Sequence, residues 1–200
     1  MSECRLLEEG GRAHFMTRRF DRTPEGGPSS PGYAGTGKLH LQTLCGIAHM
    51  DFNQAGAYSY EQAFQVARQL GLSQPEEAEL YRRALFNILA RNQEDHTKNI
   101  SFLMDRTGRW RLAPAYDVIY SYNPNGAWTS RHQMSLVGKR DGFTGDDLLA
   151  AAPAAKLKAG QAKGILEEVR AAVSEWQRIA VESGVTEKQA GAIARTHRMM

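Results

Sequence analysis

The sequence predicts an α+β fold in which helix dominates. Apolar residues recur at helical spacing in several segments between residues 39 and 89, and the residues from 145 onward are Ala-rich with a helical pattern. Two short apolar runs on either side of Gly108 have the pattern of a β-hairpin. The resulting order is strand, helices, hairpin, loop and helices, which predicts one helix-rich α+β lobe.

Length and composition favour one soluble cytoplasmic domain. The 200 residues suit a single domain or one lobe of a larger one, with 42% hydrophobic and 24% charged residues. A net charge of +3 does not by itself indicate nucleic-acid binding. Cys4 and Cys45 lack paired spacing, which predicts reduced thiols, and no apolar run approaches the roughly 18 residues of a membrane helix. Because the N-terminus has no signal-peptide pattern, we expect a cytoplasmic protein with no membrane partner.

The N-terminal part predicts one strand and a loop. Residues 12–20, RAHFMTRRF, follow a turn at Gly10 and Gly11 and are rich in aromatic and long side chains, which favours a short strand. Residues 23–38 contain five Gly and three Pro, a composition that cannot form a core. We therefore predict a flexible surface loop over 23–38.

Three helices are expected before the hairpin. The apolar pattern predicts a helix over residues 39–50 and a second over 60–70, which Ser59 is placed to cap. Ser73 and Glu76 have the spacing of a capping box and predict the start of the third helix. The apolar residues at helical spacing in this third helix are Tyr81, Ala84, Leu85, Ile88 and Leu89.

A dense polar motif, ARNQEDHTKNISF, lies where the third helix meets the first strand of the hairpin. Within it Glu94 and Asn99 are five residues apart, and Asp117 follows Asn99 by 18 residues, just beyond the hairpin. Protein kinases use a similar order of catalytic carboxylate, metal-binding Asn and metal-binding Asp. Oxygen ligands of this kind suit magnesium. A polar segment at the end of a helix is more often simply exposed to solvent. The prediction of a functional site therefore depends on the combined spacing of Glu94, Asn99 and Asp117.

These segments resemble the C-terminal lobe of the HipA family, the serine/threonine kinase toxins of bacterial type II toxin–antitoxin pairs. The resemblance runs from about Leu6 to Ile193. The segments that carry it are RRFDR (18–22), LFNILARNQEDHTKN (85–99), LAPAYDV (112–118), WTSRHQMSL (128–136) and GKRDG (138–142). The fold that this resemblance implies is a mainly helical, protein-kinase-like C-lobe with a β-hairpin at the active site.

The resemblance also implies roles for the polar motif. The family's loop is usually Asp-x-His-x-Lys-Asn, and its first Asp is catalytic. Glu94 occupies that position here, and Asp95, one residue later, is the alternative catalytic acid. Asn99 and Asp117 would hold Mg²⁺, with ATP as the phosphoryl donor.

Further positions would bind the nucleotide by the same resemblance. His96 and Tyr116 would line the nucleotide site, although His96 is also compatible with a purely structural role. Lys98 could neutralise charge on the transferring phosphoryl group. Arg18 and Phe20 lie in a segment similar to the hinge between kinase lobes, where backbone groups meet adenine. The other histidines have no metal-ligand spacing.

The resemblance divides the chain into three parts. Residues 1–22 match the last strand of a kinase N-lobe and its hinge, residues 23–38 are the flexible loop, and residues 39–200 form the C-terminal kinase lobe. The N-lobe would then be largely missing, including its phosphate-covering loop. The GTGK sequence at 35–38 lies after the hinge and lacks the Walker pattern.

Two departures from the family pattern weaken the expected activity. Glu94 carries one methylene more than Asp, and a misplacement of about 1 Å can cost roughly 10²-fold in rate. The missing N-lobe would leave half of a nucleotide site. The isolated chain is therefore expected to be weak or inactive.

The resemblance implies an enzyme that phosphorylates a serine or threonine of a protein substrate. Its partner would be a HipB-like DNA-binding antitoxin, so that DNA is contacted only indirectly, and a separately encoded N-lobe is a further possible partner. The alternative is a non-catalytic binding module, or half of a split kinase, that docks an N-lobe or an antitoxin. A small-molecule kinase would share the same loop chemistry and stays open on the motif alone.

Overall fold

The computed structural model describes residues 1–22 and 37–200, so the loop predicted at 23–38 lies almost entirely outside the described residues. Five strands are described: β1 (Cys4–Glu9), β2 (Arg12–Thr17), β3 (His40–Thr43), β4 (Ser101–Met104) and β5 (Trp110–Leu112). The α-helices are α1 (Leu44–Ile47), α2 (Tyr60–Gln69), α3 (Gln74–Leu89), α4 (Gly145–Ala150), α5 (Ala159–Ser174), α6 (Trp176–Glu182) and α7 (Glu187–Ala194). Helix dominates, and the predicted α+β class is confirmed.

A two-stranded hairpin stands at the N-terminus. β1 pairs with β2 in antiparallel register, so that Leu6 lies opposite Phe15. Gly10 and Gly11 form the turn, and both have positive φ angles, of 57° and 76°, which glycine adopts at little cost. Only β2 was predicted, since the run RLLEE in β1 has no alternation of apolar and polar residues. Every residue of both strands is exposed to solvent.

The second sheet has the strand order β3-β4-β5, all antiparallel. The predicted hairpin of β4 and β5 is confirmed, with Gly108 in the turn at a φ of 82°. The predicted helix over residues 39–50 is wrong in its first part, because His40–Thr43 pairs with β4 as a strand. Helix begins only at Leu44, where the Thr43 hydroxyl accepts a hydrogen bond from the backbone N–H of Gly46. Pairing in the sheet thus outweighs the helical pattern of the sequence.

Helices α2 and α3 follow the predicted boundaries and capping residues. At the start of α2, the Ser59 hydroxyl accepts from the Gln62 N–H, and the Gln62 side chain accepts from the Ser59 N–H. At the start of α3, the Glu76 carboxylate accepts from both the N–H and the hydroxyl of Ser73. Glu76 also accepts from the N–H of Leu112, so the same carboxylate ties α3 to β5.

The hydrophobic core lies between α2, α3 and the C-terminal helices. Tyr60, Phe64, Tyr81 and Leu85 are among its fully buried side chains. α3 packs along α5, and breaks near Pro153 and Gly184 separate the helices of this C-terminal region. No helix within residues 1–22 and 37–200 has the length and apolar character needed to cross a membrane.

The irregular segment between β5 and α4 closes over the start of α2. Its residue Ser135 pairs with the chain at Tyr58 and Tyr60 through two backbone hydrogen bonds of 2.9 Å. Met134 and Leu136 on either side are buried in the core. The segment over residues 123–141 is therefore irregular in backbone but packed against the helices next to the polar motif.

Candidate functional site

The polar motif begins where α3 ends. Arg91 adopts a left-handed backbone conformation, with a φ of 59°, and turns the chain away from the helix axis. The hydroxyl of Ser121 then accepts hydrogen bonds from the backbone N–H groups of Gln93, at 2.7 Å, and Glu94, at 3.0 Å. The segment beyond the hairpin therefore holds the start of the motif in place, and nothing in the sequence indicated this role of Ser121.

A short loop connects Glu94 to Asn99. The Asn99 side-chain amide donates to the backbone carbonyl of Glu94 over 2.9 Å, and residues Thr97–Asn99 form a turn of 3₁₀ helix. The Glu94 carboxylate is 35% exposed and lies 3.7 Å from Nε2 of His96. The predicted five-residue spacing thus corresponds to a closed loop with a solvent-accessible carboxylate at its start.

Asp95 has the opposite environment. Its side chain is fully buried, and its two oxygens accept three hydrogen bonds: from the Tyr60 hydroxyl, from Nδ1 of His132 and from the Gln133 N–H. Burial, followed by the charge of Asp95, raises the pKa of the Tyr60 phenol well above its ordinary value, so Tyr60 stays protonated and donates. The Asp95 carboxylate is committed to these interior partners.

Asn99 and Asp117 line one cavity of about 310 Å³. The hairpin returns the chain so that the Tyr116 hydroxyl donates to the carbonyl of Lys98 over 2.6 Å and accepts from the Ser101 hydroxyl. Burial raises the pKa of this phenol, which keeps its proton available for the bond. Tyr116 therefore ties the segment that carries Asp117 to the turn that carries Asn99. Asp117 itself is exposed, with a positive φ of 51°.

The residues at this cavity suit a magnesium–phosphate site that has few protein ligands. The side-chain NH₂ of Asn99 donates to the Glu94 carbonyl, which leaves the side-chain oxygen of Asn99 for a ligand. The Asp117 carboxylate is open to solvent. Across the described parts of the chain, no group of three His, Cys, Asp or Glu side chains could hold a metal. Magnesium in phosphoryl-transfer sites commonly takes one or two carboxylates and completes its shell with phosphates and water, so the residues fit the ion.

Four of the predicted nucleotide-binding side chains take part in two clusters around aromatic rings. In the first, the rings of Phe20 and Tyr116 lie 5.7 Å apart, which brings the predicted hinge against the hairpin segment. In the second, the Lys98 ammonium lies 4.2 Å from the centre of the Phe52 ring, which also packs against the His96 ring at 6.0 Å. No pattern in the sequence indicated Phe52, because its role depends on contacts between distant segments.

The predicted residues are only partly brought together. Asp95, Asn99, Tyr116 and Asp117 line the cavity, whereas Glu94, His96, Lys98, Phe20 and Arg18 are not among its lining residues. Arg18 is exposed, and its backbone N–H donates to the carbonyl of Glu3 within the N-terminal hairpin. The Glu94 carboxylate is therefore not part of the cavity that Asn99 and Asp117 line.

Comparison with known proteins supplies a family. The family model described as HipA-like C-terminal domain matches residues 1–176. The fold is similar to a chain in the solved Shewanella oneidensis MR-1 toxin–antitoxin complex of HipA, HipB and operator DNA, with a TM-score of 0.70 and 18% sequence identity. That similarity covers 97% of this chain and 48% of the other, so the chain spans about half the length of that protein. None of the curated proteins matches the chain.

Proposed function

Because the chain belongs to the HipA-like C-terminal domain family, we propose that it is the C-terminal lobe of an ATP-dependent serine/threonine protein kinase. The observation that carries this proposal is that Asn99 and Asp117 line the same cavity, while the Tyr116–Lys98 hydrogen bond ties their segments together. A kinase needs an Asn and an Asp oxygen at such a point to hold the metal that bridges the phosphates of ATP.

Glu94 is the proposed catalytic carboxylate. It accepts the proton of the attacking serine or threonine hydroxyl while that oxygen bonds to the γ-phosphorus. The bond from the γ-phosphorus to the bridging oxygen then breaks, and ADP leaves. Of the two candidate acids, Glu94 has the accessible carboxylate, whereas the oxygens of Asp95 are filled by three buried donors. Asp95 is therefore proposed to position the loop instead of acting as the base.

Magnesium held by Asn99 and Asp117 would neutralise charge on the phosphates. For the nucleotide itself, Phe20 and Tyr116 offer an aromatic surface, and the backbone from Arg18 to Phe20 offers the hinge contacts to adenine. His96 lies 3.7 Å from the Glu94 carboxylate and shares the Phe52 ring with Lys98, whose cation is proposed to stabilise the transferring phosphoryl group.

A second candidate function is a binding module or half of a split kinase that docks a separate N-lobe. Support comes from the N-terminal hairpin, whose apolar side chains Leu6 and Phe15 are 61% and 67% exposed on the same face. A two-stranded hairpin of this size is at best marginally stable in water, and a covering partner would stabilise it. We propose that the kinase works only when an N-lobe covers this hairpin.

The proposed cellular setting is a toxin–antitoxin pair in the cytoplasm. The similar Shewanella chain was solved with HipB and operator DNA. By analogy, the partner proposed here is a HipB-like antitoxin, and DNA would be contacted only through it.

The test is a phosphotransfer assay with γ-labelled ATP and a protein substrate. The chain is assayed alone and with a HipA-type N-lobe added in trans, using wild type, Asp117→Asn and Asp146→Asn. Asp146 is exposed at the start of α4, so its variant is a matched control for loss of one carboxylate. Transfer with the N-lobe that Asp117→Asn abolishes and Asp146→Asn preserves supports the kinase. Stable association with the N-lobe without any transfer supports the binding module.

A further inference from the structure

The C-terminal tail reaches back to the helix that leads into the polar motif. Arg198 is buried, although it lies two residues from the end of the chain and outside the segment that matches the family. Its backbone N–H donates to the carbonyl of Leu89, and its guanidinium donates to the carbonyl of Ile88. The last carbonyls of a helix have no partners within the helix, and a cation is favourable at that end. Arg198 thus caps the C-terminal end of α3, just before the loop from Glu94 to Asn99, which is called the catalytic loop below.

The same guanidinium fixes the tautomer of a buried histidine. A nitrogen of Arg198 lies 2.8 Å from Nε2 of His132, whose side chain is fully buried. A guanidinium only donates hydrogen bonds, so Nε2 must accept and the ring proton is on Nδ1. Nδ1 lies 2.9 Å from an oxygen of Asp95 and donates to it. A continuous path of two hydrogen bonds therefore joins Arg198 to Asp95.

Asp95 connects the hydrogen-bond path from Arg198 and His132 to the catalytic loop. It directly follows Glu94, whose carbonyl accepts from the side chain of Asn99. With the Asp95 carboxylate held in place, the peptide between residues 94 and 95 has a fixed orientation, and that peptide carries the carbonyl to which Asn99 is bound. Arg198 is in turn oriented by Asp141, to which its guanidinium is ion-paired.

We propose that Arg198 is a positioning residue of the catalytic loop, acting through His132 and Asp95. The C-terminal tail thereby sets the relative placement of Glu94 and Asn99 without touching substrate. This inference rests on the proposed function for the roles of Glu94 and Asn99. The tautomer and the order of the loop are properties of the chain alone and are measured without any activity.

The first experiment is NMR on the full chain with ¹⁵N-labelled histidine. In wild type we expect the His132 ring to carry its proton on Nδ1 with Nε2 unprotonated. Hydrogen exchange is then followed at the Asn99 side-chain amide, bound to Glu94, and at the Gln133 N–H, bound to Asp95. Arg198→Met retains much of the side-chain length and removes every side-chain donor, while the backbone N–H that donates to Leu89 remains. The variant should accelerate exchange at both sites by about tenfold or more, since the charged hydrogen bond that holds His132 in place against Asp95 is lost.

Local and general effects are separated by controls. Exchange in α5 should stay within about twofold of wild type in Arg198→Met, because general destabilisation would accelerate exchange there as well. Arg195→Met, an exposed position in the same tail, should change neither site. Arg198→Lys keeps a cationic donor and should restore most of the protection. If Arg198→Met does not fold, the positioning role of Arg198 is tested by the tautomer of His132 in wild type and by the exchange rates in Arg198→Lys.

Two results would overturn the proposal. One is a wild-type His132 ring with its proton on Nε2. The other is a folded Arg198→Met chain in which Asn99 and Gln133 exchange as in wild type. In the chain completed with an N-lobe, Arg198→Met should lower kcat at unchanged KM for ATP. Absence of phosphotransfer in wild type, with the exchange effect present, would overturn the proposed kinase and leave the positioning role intact.

Discussion

The Asp95 carboxylate lies 2.9 Å from Nδ1 of His132, and both side chains are fully buried. The neighbouring Glu94 has its carboxylate at the surface of the same loop. Two acids that are adjacent in sequence therefore have different surroundings, with Asp95 directed into the fold and Glu94 directed out of it. The arrangement predicts that substitutions at the two positions affect different properties of the protein.

Asp95→Asn should chiefly lower stability. The amide that replaces one oxygen cannot accept from the donors now bound there, and at least one buried donor among Tyr60, His132 and Gln133 loses its partner. Loss of a buried hydrogen bond to a charged group predicts a fall of about 2–3 kcal/mol in the free energy of unfolding. Chemical denaturation measures it, with exposed Asp146→Asn as the control. Equal stability of Asp95→Asn and wild type would contradict the structural role.

Glu94→Asp should raise phosphotransfer in the chain completed with an N-lobe. The shorter side chain matches the family's usual residue, and restoring a displacement of about 1 Å is worth up to roughly 10²-fold in rate. The initial rate of labelled phosphate transfer is the measurement, at matched amounts of folded protein. A fall in rate for Glu94→Asp, together with complete loss in a folded Asp95→Asn variant, would instead identify Asp95 as the base.

Tyr116→Phe should loosen the link between the hairpin segment and the loop. The variant leaves the Lys98 carbonyl and the Ser101 hydroxyl without their present partner. We expect a loss of about 1–2 kcal/mol in the free energy of unfolding and weaker binding of a manganese–ATP complex. Tyr58→Phe is the comparison, since it also removes one phenol hydroxyl, whose partner is the Asp51 N–H instead of Lys98 or Ser101. Unchanged metal–nucleotide affinity in Tyr116→Phe would show that this link does not hold the site together.

Phe15→Ser should weaken association with an N-lobe without unfolding the chain. Phe15 is 67% exposed and lies opposite Leu6, so its side chain contributes little to the fold that is described. Burial of a phenylalanine side chain in an interface is worth about 1.5–3 kcal/mol, which predicts at least about tenfold weaker binding by calorimetry. Glu9→Ser, in the same hairpin, serves as the polar control. Equal binding by Phe15→Ser and wild type would place the partner elsewhere.

The sequence allowed prediction of those elements whose signals are local. α2 and α3 were predicted because Ser59 and Ser73 begin them with recognisable caps and apolar residues follow at helical spacing. The β4–β5 hairpin was predicted from its Gly108 turn. β3 was mistaken for helix, because its four residues become a strand only through pairing with β4, which is distant in the chain.

The same distinction applies to the candidate site. The spacing of Glu94, Asn99 and Asp117 follows from a short loop and a hairpin, both local structures. Spacing and the family register favoured Glu94 over Asp95, but the burial of Asp95 could not be predicted, because it depends on His132, 37 residues later. The connection from His132 to Arg198 spans 66 residues and has no pattern by which the sequence could indicate it.

The most direct test of the proposed metal site is to locate a bound divalent ion. Mn²⁺ added with ATP to the ¹⁵N-labelled chain broadens the NMR signals of the groups nearest to it. The predicted result is early broadening of the Asn99 side-chain amide and the Asp117 N–H, abolished in Asp117→Asn and preserved in Asp146→Asn. Signals of Asn99 and Asp117 that stay sharp while others broaden would contradict the site, and with it the proposed kinase chemistry.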